Sequence, residues 1–195
     1  MSVGLEGRLG SVRWRVSLLF PALVTVLLLC QPEGLALPCL LASLIHECGH
    51  LLAMLLVGCP PESCTVGAFG ARIVTDGRYQ PGYGHQIAIS LAGPGVNLLA
   101  AAGLWLAGCP RAAAVHGVLG MFNLLPAAAL DGGQVLRCLL CLGTTPERAE
   151  WVLRAVSAAV LLPLAVGALY LVLSGRGNGS LLIVCLYLTG LVFSG

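Results

Sequence analysis

Lysine is absent from this 195-residue chain, and charge of either sign is scarce. All ten basic residues are arginine, eight residues are acidic, and charged residues make up 9% of the sequence. A soluble domain is about 25% charged and about 45–50% apolar. This chain is 58% hydrophobic, with a mean hydropathy of +0.95, and cannot cover a water-soluble globule with polar surface. A soluble enzyme, a disordered tail and a nucleic-acid-binding module are excluded together. The net charge of +2 is also too small to point to a polyanionic partner. Nine cysteines form an odd count and lie scattered through apolar stretches, which predicts buried free thiols and no disulfide framework.

Long apolar runs are what the sequence does have. A helix needs about 20 mostly apolar residues to cross about 30 Å of hydrocarbon. Six stretches qualify or nearly do, at about 14–30, 36–58, 84–107, 112–127, 152–174 and 180–195. The expectation is an all-α polytopic membrane protein of about six transmembrane helices in one domain, set in a lipid bilayer. Arg13 and Arg15 lead the first run in the manner of a signal peptide. However, Leu27, Leu28 and Leu29 before Cys30 make neither a small-residue cleavage site nor a good lipoprotein box, so a retained helix is expected.

Arginine placement sets the expected orientation. With the N-terminus inside, Arg8, Arg13, Arg15, Arg72, Arg78, Arg137, Arg148 and Arg154 fall on the cytoplasmic side and only Arg111 and Arg176 outside. Both termini are then cytoplasmic, and the cell membrane is the expected residence. Outside the runs, Asp76-Gly77 between Arg72–Thr75 and Arg78–Gln80 predicts a short β-hairpin, because glycine accepts the positive φ of a tight turn.

The second run contains His46-Glu47-Cys48-Gly49-His50. Ionisable groups at the centre of a membrane helix cost about 2.5–3.5 kcal/mol each on insertion scales and imply function by default. At 3.6 residues per turn, His46 and His50 lie one turn apart on one face and can reach a single ion. Glu47 flanks that site and can take a proton from metal-bound water, whereas Cys48 faces away. Gly49 lets a neighbouring helix approach. A bland alternative is two packed histidines hydrogen-bonded across helices with a paired glutamate.

A catalytic zinc site usually has three protein ligands and an open position. Of the other acids, only Asp131 lies between apolar helical runs, behind Asn123-Leu124-Leu125-Pro126 and before Gly132-Gly133. Its own alternative role is the N-cap of a helix at about 132–142, with Gln134 completing a capping box. His85 and His116 read as hydrogen-bonded packing residues, and Cys138-Leu139-Leu140-Cys141 reads as two helical thiols without redox surroundings.

Taken in order, His46-Glu47-Cys48-Gly49-His50, Ala92-Gly93-Pro94-Gly95-Val96-Asn97 and Asn123-Leu124-Leu125-Pro126 through Leu130-Asp131-Gly132-Gly133 resemble the site-2 protease family of intramembrane zinc metallopeptidases. The resemblance covers a catalytic core of about residues 36–140. It implies one zinc per chain held by His46, His50 and Asp131, with Glu47 as the catalytic base and Asn123 helping to hold a membrane protein substrate. In size and topology the chain looks most like the sporulation stage IV factor B branch, although it ends before that branch's C-terminal regulatory domain and has no room for an inserted PDZ domain. Relatives often carry a second proline before the Leu-Asp pair, where Ala129 stands here, which puts the rigidity of that loop in question. The alternatives are a metal or proton transporter using the same polar groups, and an inactive metal-binding membrane scaffold. The first, fifth and sixth runs carry almost no polar groups, which disfavours a transporter; an intact Glu47 disfavours the scaffold.

Overall fold

The computed structural model describes residues 4–9, 12–17, 35–67, 70–75, 81–175 and 179–194. Within them are four strands, β1 (Gly4–Leu9), β2 (Val12–Ser17), β3 (Pro61–Gly67) and β4 (Gly70–Thr75). Six helices follow in chain order among them: α1 (Ala36–Leu56), α2 (Tyr83–Leu106), α3 (Pro110–Asn123), α4 (Asp131–Cys141), α5 (Pro146–Leu173) and α6 (Ser180–Ser194). The chain is mostly helical, as expected. Among the described residues three helices, Leu37–Leu56, Tyr83–Leu106 and Pro146–Leu173, are long and apolar enough to cross a membrane. Their outward side chains are apolar: Leu56 is 78% and Leu106 86% exposed, a distribution that suits lipid and not water.

The strands form one sheet in the order β1-β2-β3-β4. β1 and β2 are antiparallel, β2 runs parallel to β3, and β3 and β4 are antiparallel. Arg13 on β2 and Glu62 on β3 close an ion pair at 2.5 Å across the parallel step. One expectation changes here. Residues 12–17 are a strand, so no helix begins at 14; the remainder of that run, 18–34, lies outside the described residues. Arg72–Thr75 lies in β4, which among the described residues pairs with β3 on its N-terminal side. The Asp76-Gly77 turn and residues 78–80 lie outside the described residues.

The helix ends follow local chemistry. α1 and α2 both stop at glycine, Gly58 (φ 72°) and Gly108 (φ 74°), a left-handed conformation that glycine adopts without a Cβ clash. In each, the next residue reaches back to close the last turn: Cys59 N–H donates to Met54 O and Cys109 N–H to Leu104 O, both at 2.9 Å. Pro60 and Pro110 then forbid continuation. α5 starts six residues earlier than the apolar run suggested, because Thr145 caps it by accepting from Arg148 N–H at 3.4 Å and Pro146 occupies its first position.

Small residues bring the central helices close together. A Cβ on Gly49 of α1 would lie 2.6 Å from Val96 and 2.8 Å from the Ala92 carbonyl of α2. On the other face of α2, Gly120 of α3 sits against the Pro94 carbonyl and Asn97 Cβ, at 3.1 and 3.3 Å from where a Cβ would be. Such close approach is the usual basis of packing between membrane helices, where lipid removes the hydrophobic drive. α5 and α6 lie behind the Pro126–Leu130 loop, with Ala127, Leu161, Leu188 and Val192 buried together.

Candidate metal centre

His46 and His50 project from the middle of α1, buried, with ring centroids 4.7 Å apart and planes at 84°. One helical turn of separation sets this spacing. The rings rest on α2 at Gly93, where any Cβ would overlap the His50 ring and lie 2.9 Å from His46 Nε2. The Gly93-Pro94 step is therefore a seat for the imidazoles.

Asp131 arrives from the opposite side. α3 ends at Asn123, the chain turns through Leu124–Leu130, and α4 begins at Asp131 itself. Leu130 occupies the N-cap without a side-chain cap, so Asp131 does not serve in the capping box considered above. The Gln134 amide instead donates to Gln86 Oε1 of α2 at 3.3 Å. Gly132 and Gly133 lie flush against the Leu124, Leu125 and Ala127 backbone, so a side chain at either position would displace the loop. The loop has a further anchor that the sequence did not announce: Ala128 N–H donates to Ser157 Oγ of α5 at 2.9 Å, and Ser157 Oγ donates onward to Leu153 O at 2.6 Å. Ser157 is wholly buried. A hydroxyl on α5 thus restrains the loop one residue from Ala129.

Three candidate ligand atoms converge as a result. His46 Nε2 and His50 Nε2 are 3.1 Å apart, and Asp131 Oδ2 lies 3.0 Å from the first and 3.3 Å from the second. Ligand atoms at about 2.0–2.1 Å from a tetrahedral zinc are about 3.3–3.4 Å from one another, so the triangle has the size of one face of a zinc tetrahedron. Asp131 Oδ2 is buried and makes no hydrogen bond, and a buried carboxylate oxygen in that condition is costly without a cation. The residues fit the metal. His50 is oriented by its other nitrogen, which donates from Nδ1 to Ile89 O at 2.8 Å. His46 Nδ1 faces the Asn97 amide at 3.2 Å.

The other candidates fall as follows. Glu47 follows His46 on α1 and is partly buried. Asn123 ends α3, its amide donating to Leu119 O of its own helix at 3.0 Å. His85 is exposed, and His116 is buried and hydrogen-bonded, to Asn97 Oδ1 at 3.1 Å. Seven described cysteines are free; Cys59, Cys138 and Cys185 are buried, but Cys39, Cys48 and Cys109 are exposed, so burial does not hold for all.

Comparison with solved structures decides the fold. The site-2 protease of Methanocaldococcus jannaschii superimposes with a TM-score of 0.71 over 100% of this chain and 94% of that one, at 19% identity. This is the site-2 protease fold. No family model matches the sequence. Two curated relatives bear the names of candidate zinc metalloproteases: sll0528 of Synechocystis, 33% identical over 114 residues, and Rip3 of Mycobacterium tuberculosis, 36% identical over 118. Each match takes in 52% of this chain, and the chain spans 30% of the relative's length. In a site-2 protease fold, the helices α1, α2 and α4 described above bring His46, His50 and Asp131 to one point.

Proposed function

We propose that this chain is an intramembrane zinc metalloendopeptidase that hydrolyses peptide bonds of membrane-embedded or membrane-adjacent proteins. One observation carries the reading: Nε2 of His46, Nε2 of His50 and Oδ2 of Asp131 lie within 3.3 Å of one another among apolar helices. One zinc per chain would be held there. Zinc supplies Lewis acidity, polarising a scissile carbonyl and acidifying water at neutral pH. Glu47 takes the proton of the attacking water on a carboxylate oxygen and delivers it to the leaving amine nitrogen. Asn123, at the end of α3, holds the substrate backbone.

A substrate helix must unwind before its carbonyl can be reached, and the freed donors and acceptors are costly to leave unpaired in a membrane. Among the described residues β4 pairs only with β3, so its outer edge can receive an extended substrate segment by strand addition. Pairing of β2 with β3 supports a topology in which β1–β2 and β3–β4 share one side of the membrane. The arginine distribution makes that side cytoplasmic, with about six crossings in all and both termini inside.

The test is a comparison of membrane-protein fragments in cells carrying the native chain or Glu47→Gln. The amide is close in shape and cannot act as a base, so Glu47→Gln keeps its zinc while specific fragments disappear and their uncut precursors accumulate. General bases contribute about 10²–10⁴-fold to rate. Identical fragment sets in the two strains would refute the proposal.

A further inference from the structure

Asn97 is fully buried on α2 and His116 nearly so on α3, and neither is within the convergent triangle. The Asn97 amide nevertheless bridges two imidazoles from different helices. Its Nδ2 lies 3.2 Å from His46 Nδ1 and its Oδ1 lies 3.1 Å from His116 Nδ1. The two ends of an amide have the same shape, and which end points where is fixed by the partners' hydrogen-bonding needs. A histidine that ligates a metal through Nε2 carries its proton on Nδ1, and that N–H needs an acceptor. For His50 the acceptor is the Ile89 carbonyl. For His46, among the described residues, the group in reach is Asn97.

We propose that Asn97 and His116 are positioning residues for the metal, a claim that rests on the zinc reading above. Asn97 Oδ1 accepts from His46 Nδ1–H, and Asn97 Nδ2–H donates to the lone pair of His116 Nδ1. His46 then directs its Nε2 lone pair at the point where His50 Nε2 and Asp131 Oδ2 converge. His116 acts through Asn97. With no acceptor at position 116, the amide is free to turn and offer its NH2 to His46, which then carries its proton on Nε2, where it blocks ligation. The packing holds the arrangement, because Gly120, one turn beyond His116, lies against Asn97 Cβ and the Pro94 carbonyl.

The experiment uses the purified full-length protein in detergent and reads zinc affinity by competition with a chelator, with the visible spectrum of bound cobalt(II) as a second readout. The native chain tests the zinc reading itself; if it binds no zinc, both proposals fall. If it binds zinc, Asn97→Leu weakens binding about 10–100-fold, while Asn97→Asp, which still accepts from His46, stays within about threefold. A role in filling space predicts the reverse order, since a buried carboxylate costs more than an apolar side chain of similar size. His116→Phe weakens zinc by about 3–10-fold and His116→Gln, which retains an acceptor, by less. The double variant Asn97→Leu/His116→Phe binds no more weakly than Asn97→Leu alone, because residues in one network do not act additively. Native zinc affinity in Asn97→Leu or in His116→Phe, or additive losses in the double variant, would overturn the proposal. Should Asn97→Leu fail to fold, the decision rests on His116→Phe against His116→Gln.

Discussion

Gly93 shapes the centre without contributing an atom that could bind metal. The His46 and His50 rings occupy the volume a Cβ would fill there. Gly95, two residues along the same helix, has nothing within 4 Å of such a position. Gly93→Ala should therefore lose zinc affinity by more than about tenfold through displaced ligands, whereas Gly95→Ala should keep it and gain slightly in helix stability. Elemental analysis of the two purified variants checks this, and full zinc in Gly93→Ala would remove the seat from the account. At this scale His46 and His50 are legible because ionisable residues one turn apart stand out in an apolar run. Asp131 was legible through its isolation among acids. Asn97 appeared only as a letter in a motif, and Ser157 not at all, since a serine in an apolar helix bonds its own backbone in most contexts. Its second bond, to the Ala128 N–H, is tertiary and leaves no local signal.

Among the elements, the helices are more legible in the sequence than the strands. Hydrophobic length marks a membrane helix clearly, and α1 and α2 match their apolar runs within two residues. β2 is hidden in the sequence although Val12-Arg13-Trp14-Arg15-Val16 alternates strictly, because the apolar residues that follow it continue into one long apolar run. β3, Pro-Glu-Ser-Cys-Thr-Val-Gly, is too polar to announce itself, and its partner β4 decides its state. The edge of β4 yields a prediction of its own. Proline at each of Arg72, Ile73, Val74 and Thr75 removes one backbone donor. Positions whose N–H points away from β3 should lose cleavage while retaining zinc; those facing β3 should loosen the hairpin. If every variant that keeps zinc also cleaves normally, β4 takes no part in holding substrate.

For the whole molecule, the decisive relation is between helices distant in sequence. α4 and α1 are far apart in sequence, and only the packing of both on α2 delivers Asp131 to the two histidines. The proposed orientation, with the N-terminus inside, predicts that single cysteines placed near residues 76 and 147 in a thiol-free background react with an impermeant label only after permeabilisation. Labelling of both from outside intact cells would invert the orientation. α3 and α6, at 14 and 15 residues, are shorter than a bilayer needs, which is why their boundaries were the hardest to read in the sequence. The central claim is that three side chains from two distant helices hold one zinc. Zinc content per chain, measured on the purified native protein and on Asp131→Ala, tests it most directly. The account predicts one zinc in the native chain and loss of most of it in the variant, because two-histidine sites hold zinc poorly. Full zinc in Asp131→Ala, or none in the native chain, would contradict it.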